Sequence, residues 1–240
     1  MLINGDVKGL EVVVAGDLSD DKVLKQEIID KVDIHEQNRD RFKLGTGKPG
    51  RLVAKIFKFR LIYGGSAWSY AHDPDFSSVG YSERQWQRVI DEYYEKYQGL
   101  GRWHLELPNI CRNNAGILSI PSGRHFDFSD FYKRRNEWPL TKLKNYPVQG
   151  FGADLVKLAR IDFYNRLIES DLEAVFIQTI HDSLVADAPK KNVDAVAQML
   201  QESIAKVPEL CYNIYQYRFS LPMTSEITVG PNKKEMIEWH

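Results

Sequence analysis

The chain has 240 residues, 43% apolar and 27% charged, which is enough apolar material for one large or two small domains. It is too much for a disordered tail, a collagen-like chain or a disulfide-stapled mini-protein. With 32 Lys and Arg against 33 Asp and Glu the net charge is −1, so any anion-binding surface has to come from local clustering.

Met1 to Asp6 reads as a short apolar strand, without the basic stretch and long apolar core of a signal peptide. Leu10 to Ala15, with Val12-Val13-Val14, reads as a strand by propensity. Ser19 is placed to cap a helix over Asp20 to Lys31, with acids early and a lysine late. Pro49 suits the first turn of a helix running to Tyr63 and stopped by Gly64-Gly65. Ser82-Glu83-Arg84-Gln85 is a capping-box pattern opening a long helix toward Asn113. Ile117 to Ile120, Pro121-Ser122-Gly123 and Arg124 to Phe128 predict a hairpin. A helix is expected from near Pro147 to Glu169, then strands over Ala174 to Ile180 and Leu184 to Ala188 flanking His181-Asp182-Ser183. A helix over Lys191 to Ala205 and a strand near Met223 to Val229 complete the series. Strands mixed with long helices in irregular order argue for α+β or mixed α/β rather than a doubly wound sheet. Cys111 and Cys211 stand apart from each other and from any Cys/His cluster, which argues against zinc and for a reduced setting. No apolar run approaches the roughly 18 residues of a membrane span, so no membrane partner is expected.

Three groups of residues carry chemistry. Lys43 to His72 holds six basic residues and no acid, and within it Arg51, Lys55, Phe59 and Tyr63 recur at intervals of four. On a helix each such step overshoots one turn by only about 40°, so the four share one slowly winding face. Cations followed by rings suit a nucleotide, phosphates first and then sugar and base; a solvated basic helix with the rings in the core has the same spacing. Asp6 ends an apolar strand and Asp182 lies in a tight turn between two others. Carboxylates so placed can converge over a sheet and bind Mg²⁺, or serve only as turn aspartates. Gln149, in Asn145-Tyr146-Pro147-Val148-Gln149-Gly150, falls at a helix start where its amide can reach a sugar or base edge, or simply be polar.

In order and spacing these pieces resemble the polymerase motifs of family A DNA polymerases, the bacterial DNA polymerase I class. Asp6-Val7-Lys8-Gly9-Leu10-Glu11 is similar to motif A and Asp33-Ile34-His35 to the short element after it. Arg51-x-x-x-Lys55-x-x-x-Phe59-x-x-x-Tyr63-Gly64 is similar to motif B, Gly123-Arg124 to the hairpin pair, and His181-Asp182 to motif C. Asn145 to Gly150 resembles the segment before the next palm helix, and Pro222 to Gly230 the closing strand. The resemblance spans essentially the whole chain. It also turns Leu10 to Ala15 from a strand into the start of a helix.

The resemblance implies an α+β right-hand palm, an antiparallel sheet carrying Asp6 and Asp182, with helical fingers. The expected division is palm over residues 1–18, fingers over 19–116 and palm again over 117–240. The implied reaction is attack of a primer 3′-hydroxyl on the α-phosphorus of a dNTP, with two Mg²⁺ ions held by Asp6 and Asp182. Arg51 and Lys55 are implied to hold the triphosphate, Lys55 also giving a proton to departing pyrophosphate. Phe59 and Tyr63 would shape the nascent base-pair pocket, and Glu11 would abut the sugar 2′ position. Arg124, Asn145, Gln149 and His181 would contact primer or template. Lys58 and Arg60 replace the usual Asn and Gly of motif B, and Ser183 replaces the usual Glu of motif C. These departures leave a rival expectation, a catalytically degenerate polymerase-like DNA-binding or assembly subunit. Thumb and exonuclease are expected to be absent, because Met1 lies almost on motif A. Work with a second polypeptide supplying the thumb, in the cytoplasm of a bacterial or phage-infected cell, follows as an expectation.

Overall fold

The structure, a computed structural model, describes residues 1–239. The chain opens with β1 (Leu2–Val7), α1 (Leu10–Ser19), α2 (Lys22–Ile29), α3 (Ile34–Phe42), α4 (Gly47–Ile62) and α5 (Ala67–His72). It continues through α6 (Glu83–Lys96), α7 (Gln98–Asn113), β2 (Ile117–Ser119), β3 (His125–Asp127), α8 (Ser129–Arg135) and α9 (Leu140–Glu169). Last come β4 (Val175–Ile180), β5 (Ser183–Asp187), α10 (Val193–Ala205), α11 (Val207–Tyr215), β6 (Ser225–Gly230) and β7 (Ile237–Glu238). Two compact units result: one holds residues 1–14, 120–124 and 149 onward, the other residues 15–119 and 125–148.

The first unit is built on a five-stranded antiparallel sheet in the order β4-β5-β1-β6-β7. Along β1 burial alternates: Ile3, Gly5 and Val7 are buried, while Leu2, Asn4 and Asp6 are half-buried on the other face. Helix α10 packs on the first of these faces. A Cβ on Gly5 would stand 2.7 Å from Leu200 Cδ2, so only glycine lets the helix approach this closely. Asp6 therefore leaves the sheet on the face away from α10. Gly9, at φ +60°, turns the chain out of β1 and into α1.

The second unit is helical with an aromatic core. Phe57 of α4 meets Tyr70 at 5.1 Å, Trp86 at 5.7 Å and Tyr93 at 5.8 Å between ring centroids. Tyr70 Oη donates to the carbonyl of Phe57 at 3.1 Å, so this buried hydroxyl is satisfied. A second cluster of Leu107, Cys111, Leu118, Phe128 and Leu143 fills the region beside the β2–β3 pair.

The architecture is α+β, an antiparallel sheet with many helices. Four local expectations are corrected. Residues 10–15 are helical rather than extended, because Val12, Val13, Val14 and Ala15 are all buried and packing outweighs β-propensity. The N-cap of α2 is Asp21, whose carboxylate accepts from the N–H of Leu24 at 2.9 Å, and not Ser19. The long helix after Ser82 is two helices, broken at buried Tyr97. Helix α9 begins at Leu140 and carries Pro147 inside it. Among the described residues, no helix is long and apolar enough to cross a membrane.

Candidate active site

In the sheet unit, β1 and β5 pair with Asp6 opposite Ser183. The two-residue turn His181-Asp182 joins β4 to β5, with Ile180 paired to Ser183 across it. His181 takes φ +54°, a left-handed conformation uncommon outside glycine. This brings Asp182 beside the end of β1, where the N–H of Val7 donates to the Asp182 carbonyl at 3.4 Å. Asp6 and Asp182, 176 positions apart in sequence, thus end on neighbouring strands. Glu11 joins them from the first turn of α1, at the positive end of that helix.

The charges feel one another. The Asp182 carboxyl lies above its ordinary range, first because burial penalises the carboxylate, then because Asp6 and, less strongly, Glu11 repel it. His181 pulls the other way. Ser183 Oγ donates to Asp6 Oδ2 at 2.7 Å. Among the described residues, no three His, Cys, Asp or Glu side chains close on a point as a ready-made metal cage. Two mutually repelling, acceptor-only carboxylates fit a hard divalent cation. Mg²⁺ is commonly held by one or two carboxylates, the rest of its shell being water and substrate phosphate.

In the helical unit, α4 buries Val53, Ala54, Phe57, Lys58, Leu61 and Ile62. Arg51, Phe59 and Tyr63 are half-buried and Lys55 is exposed, so the fourfold-spaced residues form an edge of the helix and not its core. Arg51 pairs with Asp33 at 2.8 Å and approaches Glu36 at 3.9 Å. Asp33 also caps α3, accepting from the N–H groups of His35 and Glu36. Burial opposes its charge, but the Glu36 N–H and Arg51 hold Asp33 below the usual carboxylate range. His35 lies against Phe59, ring centroids 6.0 Å apart, and Lys55 Nζ stands 5.8 Å from the Phe59 centroid. Burial, aided by Lys58 and Arg51, pushes His35 down to about 4, so it is neutral at pH 7.

The four residues expected at DNA lie on three elements: the β2–β3 turn, α9 and the β4–β5 turn. Exposed Arg124 is tied to buried Asp154, Nε to Oδ2 at 3.1 Å and Nη2 to Oδ1 at 2.5 Å. Ser122 and Lys157 donate to the same carboxylate. Asn145 and Gln149 lie in α9, Asn145 half-buried and Gln149 exposed, and His181 is exposed in its turn. Sequence reasoning missed Asp154 as the anchor of Arg124, Asp33 as the partner of Arg51, and the bond from Ser183 to Asp6. A helix acid facing a hairpin gave no local signal, and the last two pairings needed the capping and strand register that only folding supplies.

The sequence pattern described as DNA polymerase family A matches residues 1–235. The chain belongs to this family. DNA polymerase I of Caldicellulosiruptor bescii is 24% identical over 238 residues, covering 97% of this chain and 26% of that protein. The thermostable DNA polymerase I of Thermus aquaticus is 26% identical over 237 residues, covering 96% of this chain and 26% of that protein. The chain spans about a quarter of the length of these curated relatives. A solved structure of the POL domain of Pol1 from M. smegmatis, in complex with DNA primer-template and dNTP, superposes with a TM-score of 0.79 at 19% identity. It covers 95% of this chain and 39% of that one, a likeness of fold.

Against the family A motifs, two of the three departures have a local partner. Arg60 reaches Asp73 and, at 2.7 Å, Asp75, and its guanidinium lies 5.2 Å from the Phe76 centroid. Lys58 is buried, with Glu27 favouring its charge. Ser183 is bonded to Asp6.

Proposed function

We propose that this chain carries out template-directed DNA synthesis, transferring a nucleotide from a dNTP to a primer 3′-hydroxyl. The observation that carries the reading is the pair Asp6 and Asp182, brought together on adjacent strand ends with Glu11 beside them. Asp6 and Asp182 are the residues that would hold Mg²⁺, two ions in this proposal. Bound there, the ions would acidify the attacking hydroxyl and offset charge on the triphosphate. Arg51 and Lys55 are assigned to the triphosphate, and Lys55 to protonation of the departing pyrophosphate. Phe59 and Tyr63 are assigned to the sugar and base, and Glu11 to exclusion of a 2′-hydroxyl. Arg124, Asn145, Gln149 and His181 are assigned to primer and template. The half-exposed edge of α4 supports the nucleotide roles, since a nucleotide could not reach these side chains in a core. We read the sheet unit as palm and the helical unit as fingers.

A grip on duplex supplied from outside these 240 residues, by a second polypeptide bearing a thumb, belongs to the proposal. Its support is the net charge of −1, which sets few surplus cations against phosphates. The place of action in this reading is the cytoplasm of a bacterial or phage-infected cell. Single-nucleotide incorporation with Mg²⁺, comparing the native chain with Asp182→Ala, tests the catalytic claim. The native chain extends the primer and the variant does not; equal extension by both refutes it. Salt-resistant, processive extension by the isolated chain refutes the need for a partner.

A further inference from the structure

Ser183 occupies the position where the resemblance leads one to expect a third carboxylate, and it does something a carboxylate cannot. It stands directly across the β1–β5 ladder from Asp6, and its hydroxyl donates to Asp6 Oδ2 at 2.7 Å. A terminal carboxylate torsion is broad and roughly two-fold, so an Asp on an open sheet face samples many orientations. A hydroxyl fixed on the neighbouring strand selects one of them. It occupies one lone pair of Oδ2 and leaves Oδ1 and the remaining lone pairs for another ligand. A glutamate there would be acceptor-only and would add a fourth carboxylate to Asp6, Glu11 and Asp182 instead of a donor.

We propose that Ser183 is a positioning residue that presents the Asp6 carboxylate to a divalent cation. This chain thereby replaces charge with orientation at its metal site. The inference rests on the reading of Asp6 and Asp182 as metal-holding residues. Partners that orient a ligand group in this way typically change metal affinity 10- to 100-fold when removed. A hydroxyl merely satisfied by the nearest acceptor would contribute to folding and leave cation binding unchanged.

The test uses Mn²⁺ as an EPR-visible probe of the DNA-free full chain, followed by Mg²⁺ titration of nucleotide incorporation. The proteins are the native chain, Ser183→Ala, Ser183→Thr and Asp182→Asn, with thermal melting to show that each is folded. Thr keeps the hydroxyl and suits a strand. The expected result is Mn²⁺ binding about tenfold weaker in Ser183→Ala and restored in Ser183→Thr. Half-saturating Mg²⁺ for incorporation should rise in Ser183→Ala by a similar factor, while KM for dNTP at saturating Mg²⁺ stays put. A Ser183→Ala protein that melts cooperatively and binds Mn²⁺ like the native chain overturns the inference. Should Ser183→Ala fail to melt cooperatively, Ser183→Cys takes its place, with the same weakened binding expected and native-like binding equally fatal. A native chain whose Mn²⁺ binding is indifferent to Asp182→Asn overturns instead the carboxylate-pair reading beneath it.

Discussion

Methionine in place of Lys58 should stabilise the helical unit, the reverse of what a core substitution usually does. Lys58 is 1% exposed on the inner side of α4. Burial pushes its ammonium down from 10.5 to about 7, Lys96 adds to the fall, and Glu27 opposes it. At about 1.36 kcal/mol per pH unit, that separation places the charged form about 5 kcal/mol less favourably in the folded chain than in the unfolded one. Between pH 7 and 10.5 the unfolded chain therefore binds more protons than the folded one, and stability rises with pH. Integrating from pH 7 to pH 9 gives about 2 kcal/mol from this residue alone. Methionine is unbranched and adaptable, and its introduction leaves no orphaned carboxylate. Glu27 keeps Lys96 at 2.7 Å and the Tyr97 hydroxyl at 2.7 Å. Urea unfolding of both proteins at pH 7, 8 and 9 cancels every group they share. Lys58→Met should be the more stable at pH 7, and its advantage should shrink by about 2 kcal/mol by pH 9. Parallel pH profiles, or an advantage that widens with pH, would refute the claim that a charge is being buried at Lys58.

Asp182→Asn should abolish incorporation yet raise stability at neutral pH. The folded Asp182 binds its proton more tightly than an unfolded one, so the cost of its charge is present above its folded range and absent in acid. Thermal melts at pH 7 and pH 3 check this, with the gain seen at pH 7 and lost below the unfolded value of 3.8. Arg60→Ala removes contacts to Asp73, Asp75 and Phe76 from a side chain 37% exposed, so a loss of about 1 kcal/mol is expected. Amide exchange should quicken over residues 73–76, and an unchanged pattern there would count against the tie. Asp154→Ala strips partners from Ser122, Arg124 and Lys157 and should cost about 2 kcal/mol at neutral pH. Burial opposes the charge of Asp154 but its three donors keep it below the ordinary carboxylate range. The stabilisation it lends should therefore fade as pH falls through that folded value, and acid unfolding of the variant should show a shallower slope.

What could be read in the sequence was whatever depended on period or punctuation. The helix through Arg51 to Tyr63, the strands around His181-Asp182 and the closing strand all carried local signals, and each formed close to its expected place. The failures share a cause. Val12-Val13-Val14 favours a strand residue by residue, but burial of all three in α1 decides otherwise. The break at Tyr97 is followed by Gly99, but a glycine in a sequence does not say whether it ends a helix or lets a neighbour approach. Around it the contacts are long-range: the Tyr97 hydroxyl reaches Glu27, 70 positions away, and a Cβ on Gly99 would meet Asp21 Cα at 2.6 Å. Helices α3, α5, α8 and α11 are short and carry too little period to be expected from the sequence; α3 is capped by Asp33, the acid that also holds Arg51. In the candidate site the aspartates were legible because they end strands. The carboxylate that holds Arg124 and the serine that holds Asp6 were not, since a bond across 30 or 177 positions leaves no mark on local pattern.

The three departures from the motif pattern also bear on whether the chain is a degenerate polymerase. Decay of an unused site would remove charges and leave their partners stranded. Here two of the three new residues come with partners, Arg60 with Asp73 and Asp75 and Ser183 with Asp6, whereas Lys58 is a buried ammonium beside a Glu27 already paired to Lys96. Meanwhile Arg51, Lys55, Phe59 and Tyr63 keep an edge of α4 that the buried side of the helix does not consume. The changes therefore lie where α4 meets its own unit, or where a strand meets its neighbour. A double-mutant cycle makes the distinction measurable. If Arg60 and Asp73 act together, Arg60→Ala and Asp73→Ala combined should cost less than the sum of the two, with a coupling of about 0.5–1 kcal/mol in thermal unfolding. Strict additivity would mean that Arg60 arrived without compensation, which is the signature that decay would leave.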